Sequence, residues 1–445
     1  MTTKQRSRKP LAGSLAALAA AFSGAGAQTI AIQNARVYTM ANIAGDALQS
    51  GGGVNNLDVI VRDGVIAAIG EDLAAPPGAT VINAQGRIVT PGLFAPWSQI
   101  GLVELNLDEE ANDSATDGEG EFAFSAALDA ADAFNPASTL IAINRAGGVT
   151  RAVAAPEPGL NMFGGQGAIV DLSGAPTSIV RAQAAQSVAM GSAGIGYNGG
   201  TRLGNWAALR DALDEARAYA ANPGAYLMRP RAGGLSIADL RALGPVAQGR
   251  QPLVVYVNSA TDLRALIKLK AQYGVNAIVL GGTEAHLVAR DLAAANIPVI
   301  LNSWLNLPSQ FEDLAATQAN AAKLQAAGVT IAFYDPPSGT HNLRLLPQLA
   351  GNAVANGLPY GAALAALTIN PARIYGVADR FGSIEIGKAG DIVVWDGDPL
   401  EVSTRPIAVL IDGKVTSLKN RQTMLRDRYK DLSRGDLPHA YRGAN

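Results

Sequence analysis

Residues 252–302 read PLVVYVNSATDLRALIKLKAQYGVNAIVLGGTEAHLVARDLAAANIPVILN and alternate short apolar runs with helical patterns. The apolar runs are rich in β-branched residues and begin at 252, 276 and 298, and a fourth run, VTIAFYD, begins at 329. Such alternation is typical of parallel βα units. Residues 93–370 are long enough for eight of these units, so we predict an α/β fold with a (β/α)8 barrel. A doubly wound sheet remains the alternative, although it accounts less naturally for strand patterns at both chain ends.

The segments on either side of this region carry strand patterns. TIAIQNARVYTM, LDVIVRDGVIAAIG and ATVINAQGRIVT come before it, and SIEIGKAGDIVVWDGDPL and PIAVLIDGKVTSL come after it. Apolar and polar residues alternate in them at the strand period, and Asp63-Gly64 supplies the positive φ angles of a tight hairpin turn. We therefore predict one composite β-sandwich domain made from residues 28–92 and 371–421. Residues 422–445 are predicted to form a polar C-terminal tail.

The first 27 residues have the pattern of a signal peptide. Four basic side chains precede the short apolar run at 11–22, and Ala25-Gly26-Ala27 offers a cleavage site before Gln28. The run is shorter than the roughly 20 residues of a membrane-spanning helix, although an uncleaved anchor stays an alternative. We expect an exported protein, periplasmic in a Gram-negative host, with no membrane association after cleavage.

Composition limits the classes of partner. Removal of residues 1–27 leaves 31 basic against 37 acidic side chains, a net charge of −6, so we expect neither nucleic acid nor an anionic membrane as a partner. A small-molecule ligand or substrate is expected, and assembly into a homo-oligomer or with a paralogous subunit stays open. The absence of cysteine excludes thiolate metal sites, and the only histidines are His286, His341 and His439.

Candidate site residues follow from the predicted barrel, because its reaction site lies at the carboxyl ends of the strands. The residues at those ends are Trp97, Ser98, Gln99, Tyr256, Asn258, Gly281, Gly282, Asn302, Trp304, Tyr334 and Asp335. The predicted substrate-binding residues among them are Trp97, Gln99, Tyr256, Asn258, Trp304 and Tyr334. Aromatic and amide groups around a cavity suit a flat or apolar small molecule. The alternative is that the aromatic side chains only fill the barrel mouth.

Asp335 and His341 are the candidate catalytic pair. They are six residues apart across the segment PPSGTH, on the loop after the eighth predicted strand. A histidine beside a carboxylate can transfer protons at neutral pH. Alternatively, His341 caps the following helical pattern and Asp335 caps the same turn. His286 lies within a helical pattern and is interpreted as structural, and His439 lies in the polar tail.

Two other motifs carry no function in this interpretation. The acidic segment 108–121 has part of a calcium-loop pattern but fails at Ala115 and at Phe124, where a bidentate glutamate is needed, so we expect a solvated loop. The glycines at 194, 196 and 199 lack a preceding strand and do not predict a dinucleotide site. No G-x-S-x-G nucleophile motif is present.

Several stretches together resemble the amidohydrolase superfamily, within its imidazolonepropionase-like, exported branch. They are the 252–302 region, ATVINAQGRIVTPGL, GGQGAIVDLSG, HNLRLLPQLAGNAVANGLPYGAALAALTINPA and TINPARIYGVADRFGSIEIGKAGDIVVWDGDPL. The resemblance spans residues 28–430 and implies an amidohydrolase-like barrel with a composite β-sandwich. It also implies hydrolysis of non-peptide C–N bonds in small cyclic or amide substrates. In this superfamily one or two divalent ions, typically zinc, activate a water molecule, and a strand-8 aspartate takes its proton.

The sequence departs from the superfamily pattern at most metal-ligand positions. The two strand-1 histidines correspond to Trp97 and Gln99, and the strand-5 and strand-6 histidines to Tyr256 and Gly281, while the bridging lysine falls near Ala189. Only the strand-8 aspartate is kept, as Asp335. We therefore expect the standard metal site to be lost. No cofactor is assigned, and zinc or another divalent ion would need atypical ligands. Three functions stay open: a hydrolase using Asp335 and His341, a non-catalytic small-molecule-binding protein, and a partner subunit of an active paralogue.

Overall fold

A computed structural model describes residues 29–116, 123–228, 234–305, 307–335 and 342–430. The strands are β1 Thr29–Val37, β2 Val54–Arg62, β3 Val65–Glu71, β4 Thr80–Asn83, β5 Ile88–Pro91, β6 Leu93–Ser98, β7 Val149–Ala154, β8 Phe163–Asp171, β9 Ile179–Ala189, β10 Leu253–Val257, β11 Ala277–Gly281, β12 Val299–Leu301, β13 Ile331–Phe333, β14 Ile392–Trp395, β15 Pro406–Ile411 and β16 Lys414–Val415.

The α-helices are α1 Asp46–Ser50, α2 Ala130–Ala133, α3 Thr139–Ala146, α4 Gly191–Gly194, α5 Arg202–Ala221, α6 Pro223–Leu227, α7 Ile237–Ala247, α8 Ala260–Tyr273, α9 Ala289–Ala294, α10 Asn320–Ala326, α11 Leu346–Ala355, α12 Tyr360–Leu367, α13 Ile369–Ile374 and α14 Arg421–Tyr429. Short 3₁₀ helices lie at Glu109–Ala111, Ala285–Val288 and Phe311–Asp313. None of the described helices is long and apolar enough to cross a membrane.

One sheet combines strands from both chain ends, as predicted. Its strand order is β16-β15-β14-β5-β1-β2-β3, and β4 pairs with β1 beside this path. The chain enters through β1–β5 and returns through β14–β16, so the centre of the sheet joins β5 to β14. The β2–β3 turn has Asp63 at φ 53° and Gly64 at φ 86°, which confirms the predicted tight hairpin.

The second sheet is the predicted barrel, with the order β6 to β13. Strands β9 to β13 run parallel, and β6 is parallel to β7. β13 lies beside β6, so the sheet is nearly closed. The predicted (β/α)8 barrel with a composite β-domain is thereby confirmed.

One barrel strand departs from a regular βα repeat. β8 is antiparallel to both β7 and β9. Only residues 155–162 and 172–178 connect these strands, and a parallel crossover needs a dozen residues or more. The chain therefore turns back twice as hairpins, and the loop at 155–162 lies at the end of the barrel where the parallel strands finish.

The barrel interior is an apolar column. Inward-facing side chains from the strands pack together with side chains of the returning segment, and the column includes Phe94, Trp97, Val254, Ile278, Ile300, Ala332, Tyr375 and Phe381. The Tyr375 hydroxyl donates to the Pro96 carbonyl at 2.6 Å, which fixes the returning segment against β6. This column holds the strand ends of the candidate site in place.

A buried arginine joins the barrel to the composite sheet. Arg151 of β7 donates from Nε to Asp391 Oδ2 at 2.7 Å and from Nη2 to Asp391 Oδ1 at 3.1 Å, and it also pairs with Asp412. Its guanidinium stacks on the Phe381 ring, 4.3 Å from the centroid. The two sheets are therefore connected by ion pairs as well as by the chain.

Candidate functional site

The carboxyl ends of the barrel strands bring together most of the predicted site residues. Trp97 ends β6, where its side chain is 1 % exposed, and its indole Nε1 donates to the Tyr256 hydroxyl of β10 at 2.7 Å. The two rings meet edge to face at 6.2 Å between centroids. Two positions that the sequence placed far apart thus form one hydrogen-bonded pair across the barrel interior.

Glu157, on the loop after β7, is the central acid of this site. Gln99 donates a hydrogen bond to its carboxylate, and burial raises the pKa of Glu157 to about 7 despite that hydrogen bond. Its Oε1 atom is buried and has no hydrogen-bond partner among the described residues. A carboxyl group in such surroundings is close to half protonated at neutral pH.

Three tyrosines lie within electrostatic range of this carboxyl group. Burial raises the pKa of Tyr197, Tyr256 and Tyr334, and the negative charge of Glu157 raises each of them further. All three phenols therefore stay neutral and can donate hydrogen bonds at the mouth of the barrel.

Asp335 supplies a second carboxyl group beyond the end of β13. Burial raises its pKa to about 6. The pKa of the neighbouring Tyr334 rises with the charges of both Glu157 and Asp335, so this phenol is within electrostatic range of the two acids. Asp335 lies two residues after the end of β13, whereas its predicted partner His341 lies outside the described residues.

The remaining predicted residues are held mainly by structural contacts. Asn258 Oδ1 accepts from the Thr283 hydroxyl at 3.2 Å, on the loop after β11. Asn302 Oδ1 accepts from the Trp304 backbone N–H at 2.8 Å, which leaves the Trp304 side chain 39 % exposed. Asn258 therefore holds the loop after β11 in place at the mouth. Trp304 presents an exposed aromatic ring at the edge of the mouth.

An ion-pair cluster borders the mouth on the side of α5 and α8. Arg202 Nη1 lies 3.2 Å from Asp262 Oδ2 and 3.9 Å from Glu312 Oε1, and both acids are buried. Ser192 donates to Glu312 at 2.8 Å. The negative charges of these acids are balanced by Arg202 and by hydrogen bonds from hydroxyl groups. Glu157, in contrast, forms no such ion pair among the described residues.

Sequence comparison identifies similar proteins. Residues 253–419 match the sequence model of the Amidohydrolase family. The chain is 26 % identical over 395 residues to "Amidohydrolase tasK" of Hapsidospora irregularis, covering 80 % of this chain and 39 % of that protein. It is 30 % identical over 156 residues to an imidazolonepropionase of Maricaulis maris, covering 34 % of this chain and 37 % of that protein. The chain thus spans less than two fifths of the length of these curated relatives.

The structural comparison covers nearly the whole chain. The crystal structure of an amidohydrolase from Thermotoga maritima superposes with a TM-score of 0.76 at 27 % identity, over 87 % of this chain and 99 % of that one. The chain belongs to the amidohydrolase superfamily. This confirms the superfamily resemblance found in the sequence.

The residues present do not fit the metal centre that amidohydrolase membership implies. Within the described part of the chain, no group of three or more His, Cys, Asp or Glu side chains is arranged to hold a metal ion. Zinc sites in proteins are built from imidazole, thiolate or carboxylate donors. At the superfamily's strand-1 and strand-5 ligand positions the chain instead places an indole, an amide and a phenol.

Gly281 gives a second reason for the misfit. Its φ of +100° is one that residues other than glycine rarely adopt, and a Cβ atom there would clash with Asn258 Oδ1, which lies far closer than van der Waals contact allows. An imidazole cannot occupy this strand-6 position without a change in the surrounding loop. The backbone at Gly281 is therefore incompatible with a histidine ligand at this position.

The sequence analysis did not identify Glu157. The segment AAPEPGL follows the buried run VTRAV, and a single glutamate there resembles an ordinary loop residue. Recognising that run as barrel strand β7 would have placed Glu157 at a strand end. His286, interpreted as structural, lies in the 3₁₀ helix after β11, where burial lowers its pKa.

Proposed function

We propose that this amidohydrolase-superfamily protein is a hydrolase of non-peptide C–N bonds in small cyclic or amide substrates, and that it acts without the superfamily's usual metal site. The observation that carries the proposal is Glu157, a buried acid with one unpartnered oxygen and a pKa of about 7. Perturbed acids that face a barrel mouth are typical of groups that transfer protons.

The two carboxyl groups would divide the proton transfers between them. Asp335, with a pKa of about 6, is the base that takes a proton from water as the water oxygen attacks the carbonyl carbon. Glu157 in its protonated form gives its proton to the leaving nitrogen as the C–N bond breaks. The neutral phenols of Tyr256 and Tyr334 can donate hydrogen bonds to the carbonyl oxygen as negative charge develops on it.

This division predicts the pH dependence of activity. The base must be ionised, so kcat/KM rises as the pH passes about 6, and the acid must be protonated, so kcat/KM falls as the pH passes about 7. A bell-shaped profile with its maximum between these values is expected. A profile that keeps rising above pH 8 would contradict the assignment of Glu157 as the acid.

The direct test is turnover of a panel of hydantoins, lactams and N-acyl amides by the wild-type protein and matched variants. Glu157→Gln and Asp335→Asn should each lower kcat/KM by about 10²–10⁴-fold, the usual contribution of general acid–base catalysis. Glu109→Gln, at an exposed acid, is the control and should leave turnover unchanged. The hydrolase proposal fails if no member of a broad panel is turned over.

A second candidate is a non-catalytic small-molecule-binding protein. Its supporting observation is the Trp97–Tyr256 pair, which occupies the space where the superfamily places metal ligands. A ligand bound there would raise the melting temperature in a concentration-dependent manner. The candidate predicts loss of this stabilisation in Trp97→Ala and Tyr256→Ala. An equal ligand-induced shift in both variants would place the binding site elsewhere.

A third candidate is a partner subunit of an active paralogue. Co-purification of this chain with a second amidohydrolase-superfamily chain from the native host supports this candidate. Recovery of this chain alone argues against it.

A further inference from the structure

A large cavity opens at the opposite end of the barrel from the candidate site. Its volume is about 600 Å³, within the range that small-molecule ligands occupy. Its wall is formed by the amino-terminal ends of β9 to β13 and by residues 373–376 of the returning segment. We name it the basal cavity.

The wall of the basal cavity is basic. It contains Arg181, Arg250 and Arg373, and none of the described residues that line it is acidic. The whole chain carries a net charge of −2, so the concentration of guanidinium groups is a local feature. A positively charged concave surface attracts and concentrates anions.

Arg181 is a half-buried residue of this wall. Its Nη2 donates to the Tyr375 backbone carbonyl, while its Nε atom is buried and has no hydrogen-bond acceptor in the described parts of the chain. Burial lowers the pKa of Arg181, and this effect exceeds the opposing influences of Tyr375 and Asp379. Within the described parts of the chain, no carboxylate forms a salt bridge with Arg181.

Gln251 adds an unsatisfied acceptor to the same wall. The residue is 6 % exposed, and its Nε2 donates to the Gln183 carbonyl at 2.9 Å and to Gln166 Oε1 at 3.1 Å. Its Oε1 atom is buried without a donor among the described residues. A buried polar atom without a partner costs free energy, and a ligand or an ordered water can satisfy it.

The other two arginines remain available at the opening of the cavity. Both are exposed, and Arg373 has one weak side-chain contact, 3.5 Å to Asn370 Oδ1. Arg250 donates to Gln248 on the surface. Neither forms a salt bridge with any other described residue, so each can turn toward a ligand.

We propose that the basal cavity binds a small multivalent anion, a molecule that carries phosphate or carboxylate groups. Its oxygens would accept hydrogen bonds from Arg181, Arg250 and Arg373. Guanidinium groups suit this role because their planar forks bind carboxylate and phosphate oxygens in pairs. The site is separate from the barrel mouth and does not depend on the function proposed for it.

The test is isothermal titration calorimetry of the full chain with inorganic phosphate, pyrophosphate and citrate at constant ionic strength, with sodium chloride as the reference salt. We expect saturable binding of at least one of these probes at one site per chain. Pyrophosphate in preference to citrate would identify a phosphate-bearing ligand, and the reverse would identify a carboxylate-bearing one.

Matched variants locate the binding. Arg373→Gln removes an exposed group that has little role in folding, and it should weaken binding by about tenfold, the loss of one charge-assisted hydrogen bond. Arg181→Lys keeps the charge but loses the planar fork and should weaken binding further. Arg264→Gln removes an equal charge from the exposed face of α8 and should bind as the wild type does.

Two results would overturn the proposal. One is the absence of saturable binding of all three probes beyond the effect of sodium chloride. The other is equal binding in Arg373→Gln, Arg181→Lys and Arg264→Gln. Glu157→Gln should bind the anions as the wild type does, because Glu157 lies at the other end of the barrel. This variant therefore separates the anion site from the catalytic proposal.

Discussion

Burial opposes the ionisation of Glu157, and the stability of the fold therefore depends on pH. In the unfolded chain it ionises near its ordinary pKa of 4.5, and in the folded chain its pKa is about 7. Between these values the folded state binds more protons, so the free energy of unfolding falls as the pH rises from 4.5 to 7. Above pH 7 the shift from 4.5 to about 7 lowers the free energy of unfolding by roughly 3 kcal/mol.

Glu157→Gln should therefore stabilise the protein while it removes activity. The amide keeps the shape of the side chain but cannot ionise, so we expect a higher denaturation midpoint than in the wild type at pH 8. The gain should disappear near pH 4.5, where the wild-type carboxyl is also neutral in both states. Denaturant unfolding at the two pH values measures this, with Glu109→Gln as the exposed control. A lower midpoint at pH 8 would show that the ionised carboxylate stabilises the fold.

Gly281 allows a residue-level test of why the strand-6 ligand is missing. Gly281→Ala introduces a Cβ atom against Asn258 Oδ1 and forces an unfavourable φ of +100°. We expect a loss of about 2–3 kcal/mol in the free energy of unfolding. Gly196→Ala is the matched control because no atom lies within 4 Å of its added Cβ. Similar unfolding midpoints for the two variants would mean that position 281 can accept a side chain.

At the scale of elements, hydrophobic period and turn chemistry predicted much of the architecture. The strands β10 to β13 coincide with four β-branched apolar runs, and the Asp63-Gly64 hairpin forms as its residues require. The reversed strand β8 was not predicted, because a buried strand gives the same apolar pattern whichever way it runs. Glu157 depends on that reversal, since its loop belongs to the β7–β8 hairpin. Local sequence does not predict the contact between Trp97 and Tyr256 across the barrel. That contact depends on the register of the strands and on the closure of the barrel.

The Arg151 ion pairs predict how strongly the barrel and the composite sheet depend on each other. Arg151→Met leaves the buried Asp391 carboxylate without its partner, and removing one member of a buried pair costs about 3–5 kcal/mol. We expect a lower denaturation midpoint, measured by circular dichroism in urea. Arg426→Met, which breaks an exposed pair with Asp427 on α14, should leave the midpoint unchanged. A similar midpoint for both variants would mean that apolar packing alone joins the two sheets.

At the scale of the whole molecule, the barrel has two chemically different ends. The mouth contains neutral phenols and two acids with raised pKa values, while the base contains three arginines around a cavity. Superfamily membership fixes the barrel and the composite sheet, whereas the chemistry depends on residues that differ among proteins of one fold. The superfamily name alone would therefore assign a metal-dependent reaction for which the described side chains at the mouth offer no usual set of ligands.

The most direct test of this account is the metal content of the mature protein, purified without a histidine tag or chelator and measured by elemental mass spectrometry. The account predicts zinc and manganese far below one ion per folded chain, with no change in melting temperature when either ion is added. About one tightly bound ion per chain would contradict it, because that ion would have to be held by ligands that the described residues do not provide.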